Sequence, residues 1–429
     1  MQTHLHREPM LSVEEAQERI LAHFAPLSAV EVPLDEGLGL VLAEDVRSPL
    51  DVPPWDNAAM DGYAVRWEDI RGASPSTPRL LRVVGMVAAG QMPSSAVLPG
   101  TAVRIMTGAP IPPGADTVVP FEETDEEHRR RVGRGLEHIS ILGEVPQGAH
   151  IRPRAGDIRR DEIVLPRGTV LGPAQIGVLA SLGRATVRVV RRPVVAVLST
   201  GDELLAPGEP LQPGKIYDIN SHSVGAAVRQ AGGIPLLLGI AQDDLEDVRR
   251  KVQEGLQADF LLTSAGVSKG DYDIVKDVLA QQGRVEFWTV RMRPGKPMAF
   301  GWFLTPDGRR VPHLGLPGNP VSALVVFELF CRPAIFRMLG RKDYHRPVVQ
   351  ATLDGRIVNS DGRRVYARVV VERRGEGWVA RPAGPQASHI LTALARANGL
   401  AICPEDVPAL ETGARVQVIL LDGPVEVAR

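Results

Sequence analysis

Three short segments are unusually rich in polar residues and glycine, and two of them add carboxylates that suit hard cations. They are Leu198-Ser-Thr-Gly-Asp-Glu-Leu204, Thr263-Ser-Ala-Gly-Val-Ser-Lys-Gly-Asp-Tyr-Asp273 and Leu316-Pro-Gly-Asn-Pro-Val-Ser322. Serine, threonine and glycine at a strand-to-helix turn present amides and hydroxyls to an anion. Ser199, Thr200, Gly201, Ser264, Gly266, Ser268, Gly318 and Asn319 are the candidates for that contact. The carboxylates of Glu203, Asp271 and Asp273 repel a phosphate, and a hard cation such as Mg²⁺ between the two resolves the conflict. Together the segments suggest a nucleotide-like phosphate bound with a divalent metal. Read singly, each suits an ordinary turn, and Asp271 suits the N-cap of a helix equally well. Three of them at three strand ends point to a site, because ligands of open parallel sheets lie outside the carboxyl ends of the strands.

Four other segments carry chemistry. Pro53-Pro-Trp-Asp-Asn-Ala-Ala-Met-Asp-Gly-Tyr-Ala-Val65 holds two acids, an amide and two aromatics, and reads also as a rigid interdomain turn with Trp55 and Tyr63 packed. Arg104-Ile-Met-Thr-Gly-Ala-Pro110 is a second polar turn, and Ile151-Arg-Pro-Arg-Ala-Gly-Asp157 mixes cations with one acid. Arg291-Met-Arg-Pro-Gly-Lys-Pro297 sets three cations around a Pro-Gly turn, which suits an oxyanion or, more plainly, an exposed basic loop.

The elements that must position these residues are legible in the pattern. Ser12 and Glu15 form a capping box, and Val13, Ala16, Ile20 and Phe24 recur at helical spacing. After the Pro-marked passage 48–54, short β-like runs (Leu80–Val84, Ala102–Met106, Thr117–Pro120) alternate with glycine and proline as far as residue 150. The charged run Glu122–Arg131 reads as a solvated turn or strand end. Ile163–Leu165 and Ala185–Val190 are again extended. From Pro193 the apolar runs Val194–Leu198, Ile234–Ile240 and Phe260–Thr263 alternate with helical faces. Those faces are Val224/Ala227/Val228/Ala231, Leu245/Val248/Val252/Leu256 and Ile274/Val275/Val278/Leu279, so the segment predicts a layered α/β domain with a mainly parallel sheet. Asn319 and Pro320 open a helix apolar nearly all round, expected to be buried in part against a partner. Beyond Arg341, β-rich runs and one short helix near Ile390–Ala397 suggest a small barrel or sandwich.

Composition limits the class. The chain has 429 residues, 44% hydrophobic and 23% charged, with 49 basic and 51 acidic residues and a net charge of −2. At about 150 residues per domain this suggests roughly three domains. The near-neutral total argues against a nucleic-acid-coating protein, and no apolar stretch approaches the roughly 20 residues of a membrane helix. The polar stretch Met1–Met10 lacks the apolar core of a secretory signal, and Cys331 and Cys403 are far apart without ligand companions. A cytoplasmic location without disulfides or structural zinc is the expectation. Only Lys215, Lys251, Lys269, Lys276, Lys296 and Lys342 are lysines, so arginine supplies the other 43 basic residues; genome composition or a warm habitat accounts for that as well as anion binding does.

With these motifs in order, the sequence resembles the molybdopterin molybdenumtransferase (MoeA) family, which includes the enzyme half of gephyrin. PPWDNAAMDGYAV, RIMTGAP, IRPRAGDI, LSTGDEL, SAGVSKGDYD, RPGKP and GLPGNPVSA carry the resemblance, from about residue 50 to 330. It implies insertion of molybdate into adenylylated molybdopterin, with hydrolysis and release of AMP, yielding molybdenum cofactor. It also implies Mg²⁺, an elongated homodimer, and transient contact with the adenylyltransferase and acceptor molybdoenzymes. The implied division is a discontinuous dimerisation domain (1–54 and 151–190), an inserted β-rich domain (55–150), an α/β molybdopterin-binding domain (191–340) and a C-terminal β-barrel (341–429). Matched residue by residue, Asp61, Thr107, Asp157, Glu203, Asp243 and Asp271 fall at catalytic positions, with Glu203 and Asp271 as the metal-associated acids. Arg293 and Lys296 are placed to bind molybdate or phosphate, and Arg368 and Ser388 match functional positions in the last domain. Pro317 and Pro320 shape the third loop.

The chain departs from the family pattern at three places: Thr289 and Arg293 stand where lysine is frequent, and Ala265 where glycine is usual. Arg293 keeps the charge and Thr289 removes one, which leaves tungstate open as the natural oxyanion. Two other readings compete. A molybdopterin adenylyltransferase tends to carry a Thr-Gly-Gly-Thr-Gly run where this chain has Ser-Ala-Gly-Val-Ser, and a non-catalytic scaffold would not need acids at every motif.

Overall fold

A computed structural model describes residues 10–264 and 283–421. Ala265, Gly266, Ser268, Asp271, Asp273 and the helix expected over Ile274–Leu279 lie outside them. The described residues fall into two compact units, one drawn from Met1–Glu31, Gly39–Ala43 and Arg188–Arg429, the other from Val32–Leu38 and Glu44–Val187.

The first unit holds the layered α/β domain. Its six-stranded sheet runs Ile234–Ala241, Val194–Thr200, Phe260–Ser264, Arg310–Leu316, Pro297–Leu304, Gly283–Thr289. The first four strands are parallel, and Pro297–Leu304 runs antiparallel to both of its neighbours, so the sheet is mixed with a parallel centre. Val195, Leu198, Phe260, Leu261 and Leu262 are at most 1% exposed, as continuous apolar runs predict for strands covered on both faces. Helix Asn220–Gln230 packs Val224 and Val228 into one core, and helix Leu245–Gly255 packs Val248 and Val252 into the other. Asp244 caps the second helix by accepting from the amides of Glu246 and Asp247. The N-terminal helix Val13–Leu21 opens with the expected capping box and buries Ala16 and Ile20 in the first of these cores.

The helix expected after Asn319 begins there with Pro320 at its first turn. It continues through a π-helical turn, Phe327–Cys331, into Arg332–Met338; Pro333 supplies no amide to a regular ladder, which accounts for the interruption. Its residues Val321, Ala323, Val325, Val326, Phe330 and Ile335 belong to the chain's own core, so no partner is needed to bury them. The last segment closes into a barrel: Arg364–Arg374, Gly377–Pro382, Val348–Leu353, Arg415–Leu420 and Gly399–Cys403 pair in turn, and the last pairs back with the first. Met292–Arg293, from the α/β domain, adds to it as a short parallel strand on Arg364–Val365.

The second unit centres on a five-stranded sheet in the order Thr117–Pro120, Gly62–Val65, Thr101–Ile105, Arg79–Val87, His138–Ile141. Both faces are covered, one by Tyr63, Val65, Ile70 and Val119, the other by Ala64, Val87, Val103 and Val118. Gly62 is required by close approach, since a Cβ there would meet the Val119 carbonyl oxygen at 2.0 Å. The solvated turn expected over Glu122–Arg131 is instead a short 3₁₀ turn and a helix, Glu126–Arg131. Glu126 is only 4% exposed, because three donors from inside the unit reach it.

Candidate active site

In the second unit, three of the sequence motifs converge. Asn57 and Ala58 pair with Arg152 and Ile151, while the Ala58 amide donates to Ala109 O (3.0 Å) and the Gly108 amide to Ala58 O (2.8 Å). At this junction the Asp61 Oδ1 accepts from both the amide and the hydroxyl of Thr107, each at 2.7 Å. Both residues are exposed. The two Thr107 hydrogen bonds, backbone first, hold the Asp61 carboxyl below its usual range, aided by the Arg104 charge. The site thus presents an ionised, oriented carboxylate to solvent. Asp157 is also exposed, its amide donating to Val52 O at 3.0 Å. Tyr63 is fully buried but Trp55 is 48% exposed, so the packed-turn reading holds for one aromatic only.

Behind this pair lies a cluster that the sequence did not reveal. Tyr63 and Arg104 face one another in register on adjacent strands. The Tyr63 hydroxyl donates to Glu126 Oε2 at 2.5 Å, and Arg104 grips both carboxylate oxygens at 3.2 and 2.8 Å. Arg130 adds a fourth contact at 2.8 Å. Burial pushes the Glu126 carboxyl up, but the hydrogen bonds from Arg104, Tyr63 and Arg130 outweigh it and hold the group below its ordinary value. Burial, with Glu126 beside it, raises the Tyr63 hydroxyl.

In the first unit, Ser199, Ser264 and Leu316 stand in one row across adjacent parallel strands. Ser199 and Ser264 are buried, and Ser199 Oγ donates to Asp218 Oδ1 at 2.9 Å. Thr200 reaches Ser264 O at 3.4 Å. Gly201 has φ +139, and a Cβ there would lie 2.3 Å from Glu203 Oε2; glycine lets the Glu203 carboxylate fold back over the loop. Glu203, Asp243, Gly318 and Asn319 are exposed, and the Asp243 amide donates to Asp202 Oδ1 at 3.0 Å. Asp218 and Asn220, which join this network, were not singled out by sequence. Their signal was the polar run Asp218-Ile-Asn-Ser221 ahead of an apolar helix face, which reads as ordinary capping.

The basic Pro-Gly turn meets the barrel. Arg368 is 1% exposed; it donates to the carbonyls of Pro385 (3.3 Å) and Ala387 (3.1 Å), and its Nε has no partner. Burial, and then the neighbouring Arg293 charge, bring its guanidinium down to about 10. Arg293 donates to Ser360 Oγ at 3.4 Å. Among the described residues neither arginine forms an ion pair with a carboxylate, which leaves two cations to attract a small anion. Lys296 is exposed and Ser388 half-buried on the same unit. No group of three or more His, Cys, Asp or Glu among the described residues could hold a metal ion. A cavity of 290 Å³ lies elsewhere, against Arg19, His23, Trp288 and Trp302, and contains none of the site candidates.

A parallel-centred sheet with hydroxyl- and glycine-rich strand ends, carried with a closed barrel, defines a multidomain α/β class whose ligands lie outside the carboxyl ends of the strands. Residues 11–183 match the MoeA N-terminal region (domain I and II), 196–337 a probable molybdopterin binding domain, and 350–421 the MoeA C-terminal region (domain IV). Molybdopterin molybdenumtransferase 2 of Mycobacterium tuberculosis is 40% identical over 416 residues, 95% of this chain and 99% of that protein. Molybdopterin molybdenumtransferase of Nostoc sp. is 38% identical, covering 89% of this chain and 86% of that protein. A crystal structure of the molybdopterin biosynthesis MoeA protein from Pyrococcus horikoshii superposes with a TM-score of 0.77 at 30% identity, covering 96% of this chain and all of the other. The chain belongs to the MoeA family.

Proposed function

We propose that this protein inserts molybdate into adenylylated molybdopterin, with hydrolysis and release of AMP, giving molybdenum cofactor. The observation that carries this reading is the pair Arg293 and Arg368, neighbouring guanidiniums that form no ion pair with a carboxylate among the described residues, although Asp361 feels the Arg293 charge. A molybdate dianion must approach a phosphoanhydride, and fixed cations lower that repulsion without reorganising. Ser199, Thr200, Gly201, Ser264, Gly318 and Asn319 would shape the phosphate end, with Gly266 and Ser268 completing it from outside the described residues. Lys296 would add a second cation on the anion turn, and Ser388 a hydroxyl beside it.

Asp61, oriented by Thr107, would hold the attacking oxygen and accept its proton at Oδ2, the oxygen that Thr107 leaves free. Asp157 and Asp243 would supply further acids. Mg²⁺ usually keeps several waters and takes one or two carboxylates plus substrate phosphates. Glu203 and Asp271 would be the protein's share of that coordination, Asp271 from outside the described residues. Bound there, it would neutralise phosphate charge and polarise the bond that breaks. Homodimerisation, transient docking to the adenylyltransferase and acceptor enzymes, and a cytoplasmic location belong to the same proposal.

Purified protein given adenylylated molybdopterin and Mg²⁺ should release AMP when molybdate is added. Release with tungstate alone would reassign the oxyanion to tungstate, and retention of bound ligand without release would favour a scaffold. Arg293→Ala should raise the half-saturating molybdate concentration roughly 10-fold or more, since a hydrogen bond to a charged group contributes about 1.5–3 kcal/mol. An unchanged value would remove Arg293 from the anion site. Thr289→Lys restores the family's charge on the strand leading to that turn and should lower the same concentration.

A further inference from the structure

We propose that Asn220 is a positioning residue of the molybdopterin site, its side-chain amide tying the end of strand Phe260–Ser264 to the Leu316–Ser322 loop. The inference rests on the function proposed above. Its Nδ2 donates to Ser264 Oγ at 2.6 Å and to Gly318 O at 2.8 Å. Ser264 is itself the register partner of both Ser199 and Leu316, so Asn220 bonds at a row where three strands are in step.

Two residues earlier, Asp218 accepts from Ser199 Oγ and from the amide and hydroxyl of Ser221. The first turn of one helix therefore reaches all three loop origins: Ser199 through Asp218, and Ser264 and Gly318 through Asn220. Both amide hydrogens of Asn220 are committed, which fixes its orientation; a flipped amide would set Oδ1 against the Gly318 carbonyl. Asn220 is 8% exposed, and its Oδ1 has no hydrogen-bond partner. A buried acceptor without a donor opposes folding, so packing alone would favour a smaller apolar side chain here. The donor half explains its presence.

The test is AMP release by the full chain, with KM for adenylylated molybdopterin and kcat measured separately and the thermal midpoint recorded. Asn220→Ala should raise KM about 10-fold, equivalent to about 1.4 kcal/mol of binding, with kcat at saturation within about threefold. A residue that merely stabilises the fold would lower the midpoint and the active fraction, hence apparent kcat, and leave KM unchanged; that result overturns the proposal. Asn220→Asp should not restore KM, because it sets a carboxylate oxygen against Gly318 O. If Asn220→Ala does not fold, Ser264→Ala breaks the same bond from the other side, and an unchanged KM there is equally fatal. Absence of AMP release by the unsubstituted protein is a different result: it overturns the proposed function and this inference with it.

Discussion

Asp61→Ala should abolish AMP release while leaving the thermal midpoint close to that of the parent protein. Asp61 is exposed, and its side-chain partner is the equally exposed Thr107, so truncation opens no cavity and strands no buried donor. A positioned general base typically contributes about 10²–10⁴-fold, and the loss should fall in kcat. Asp61→Asn separates charge from shape and should be nearly as inactive. Because the Thr107 donors hold the carboxyl below its ordinary value, Asp61 stays ionised well into acid. Thr107→Val removes the hydroxyl donor, so the acid limb of the kcat profile should move upward in pH. Turnover by Asp61→Ala at the parent rate would exclude this residue from the chemistry.

Glu126→Ala has the largest expected effect on stability. Removing the carboxylate leaves Arg104 and the Tyr63 hydroxyl without their buried partner, and breaking a buried ion pair from one side costs about 3–5 kcal/mol. For a unit of this size each kcal/mol shifts the midpoint by about 2–4 °C, so calorimetry should show a drop on the order of 10 °C. The pH dependence has a definite sign. The folded carboxyl lies below its ordinary value, so its contribution is fully present above that ordinary value and is lost as pH falls through the folded one. The gap between parent and variant should therefore narrow in acid; a gap independent of pH would show that lost packing, not charge, was responsible.

What the sequence disclosed follows from where periodicity carries information. The strand Val194–Thr200, the helix Leu245–Gly255 and the cap at Ser12 were legible because buried parallel strands, amphipathic faces and capping boxes each leave a local pattern. Glu126 was not, because a carboxylate in a run of charges looks the same whether it faces water or three donors from distant strands. Asn220 escaped for a related reason: its partners Ser264 and Gly318 lie 44 and 98 positions away. The motif residues were visible as types. That PPWDNAAMDGY, RIMTGAP and IRPRAGD meet around Ala58 was visible only in the fold.

The pairing of Met292–Arg293 with Arg364–Val365 bears on how such a protein can be cut and recombined. The segment that presents Arg293 is half a sheet partner of the barrel, and Tyr366 and Leu400 of the barrel sit in the same core as Val321 and Phe327. A chain ended after Gly340 would keep the strand-end loops but lose Arg368 and the strand that pairs with Met292–Arg293. Chimaeras that exchange the proposed anion site between relatives must therefore move the turn and the barrel together, as one inherited cassette, although the Leu316–Ser322 loop and its helix lie between them in the sequence.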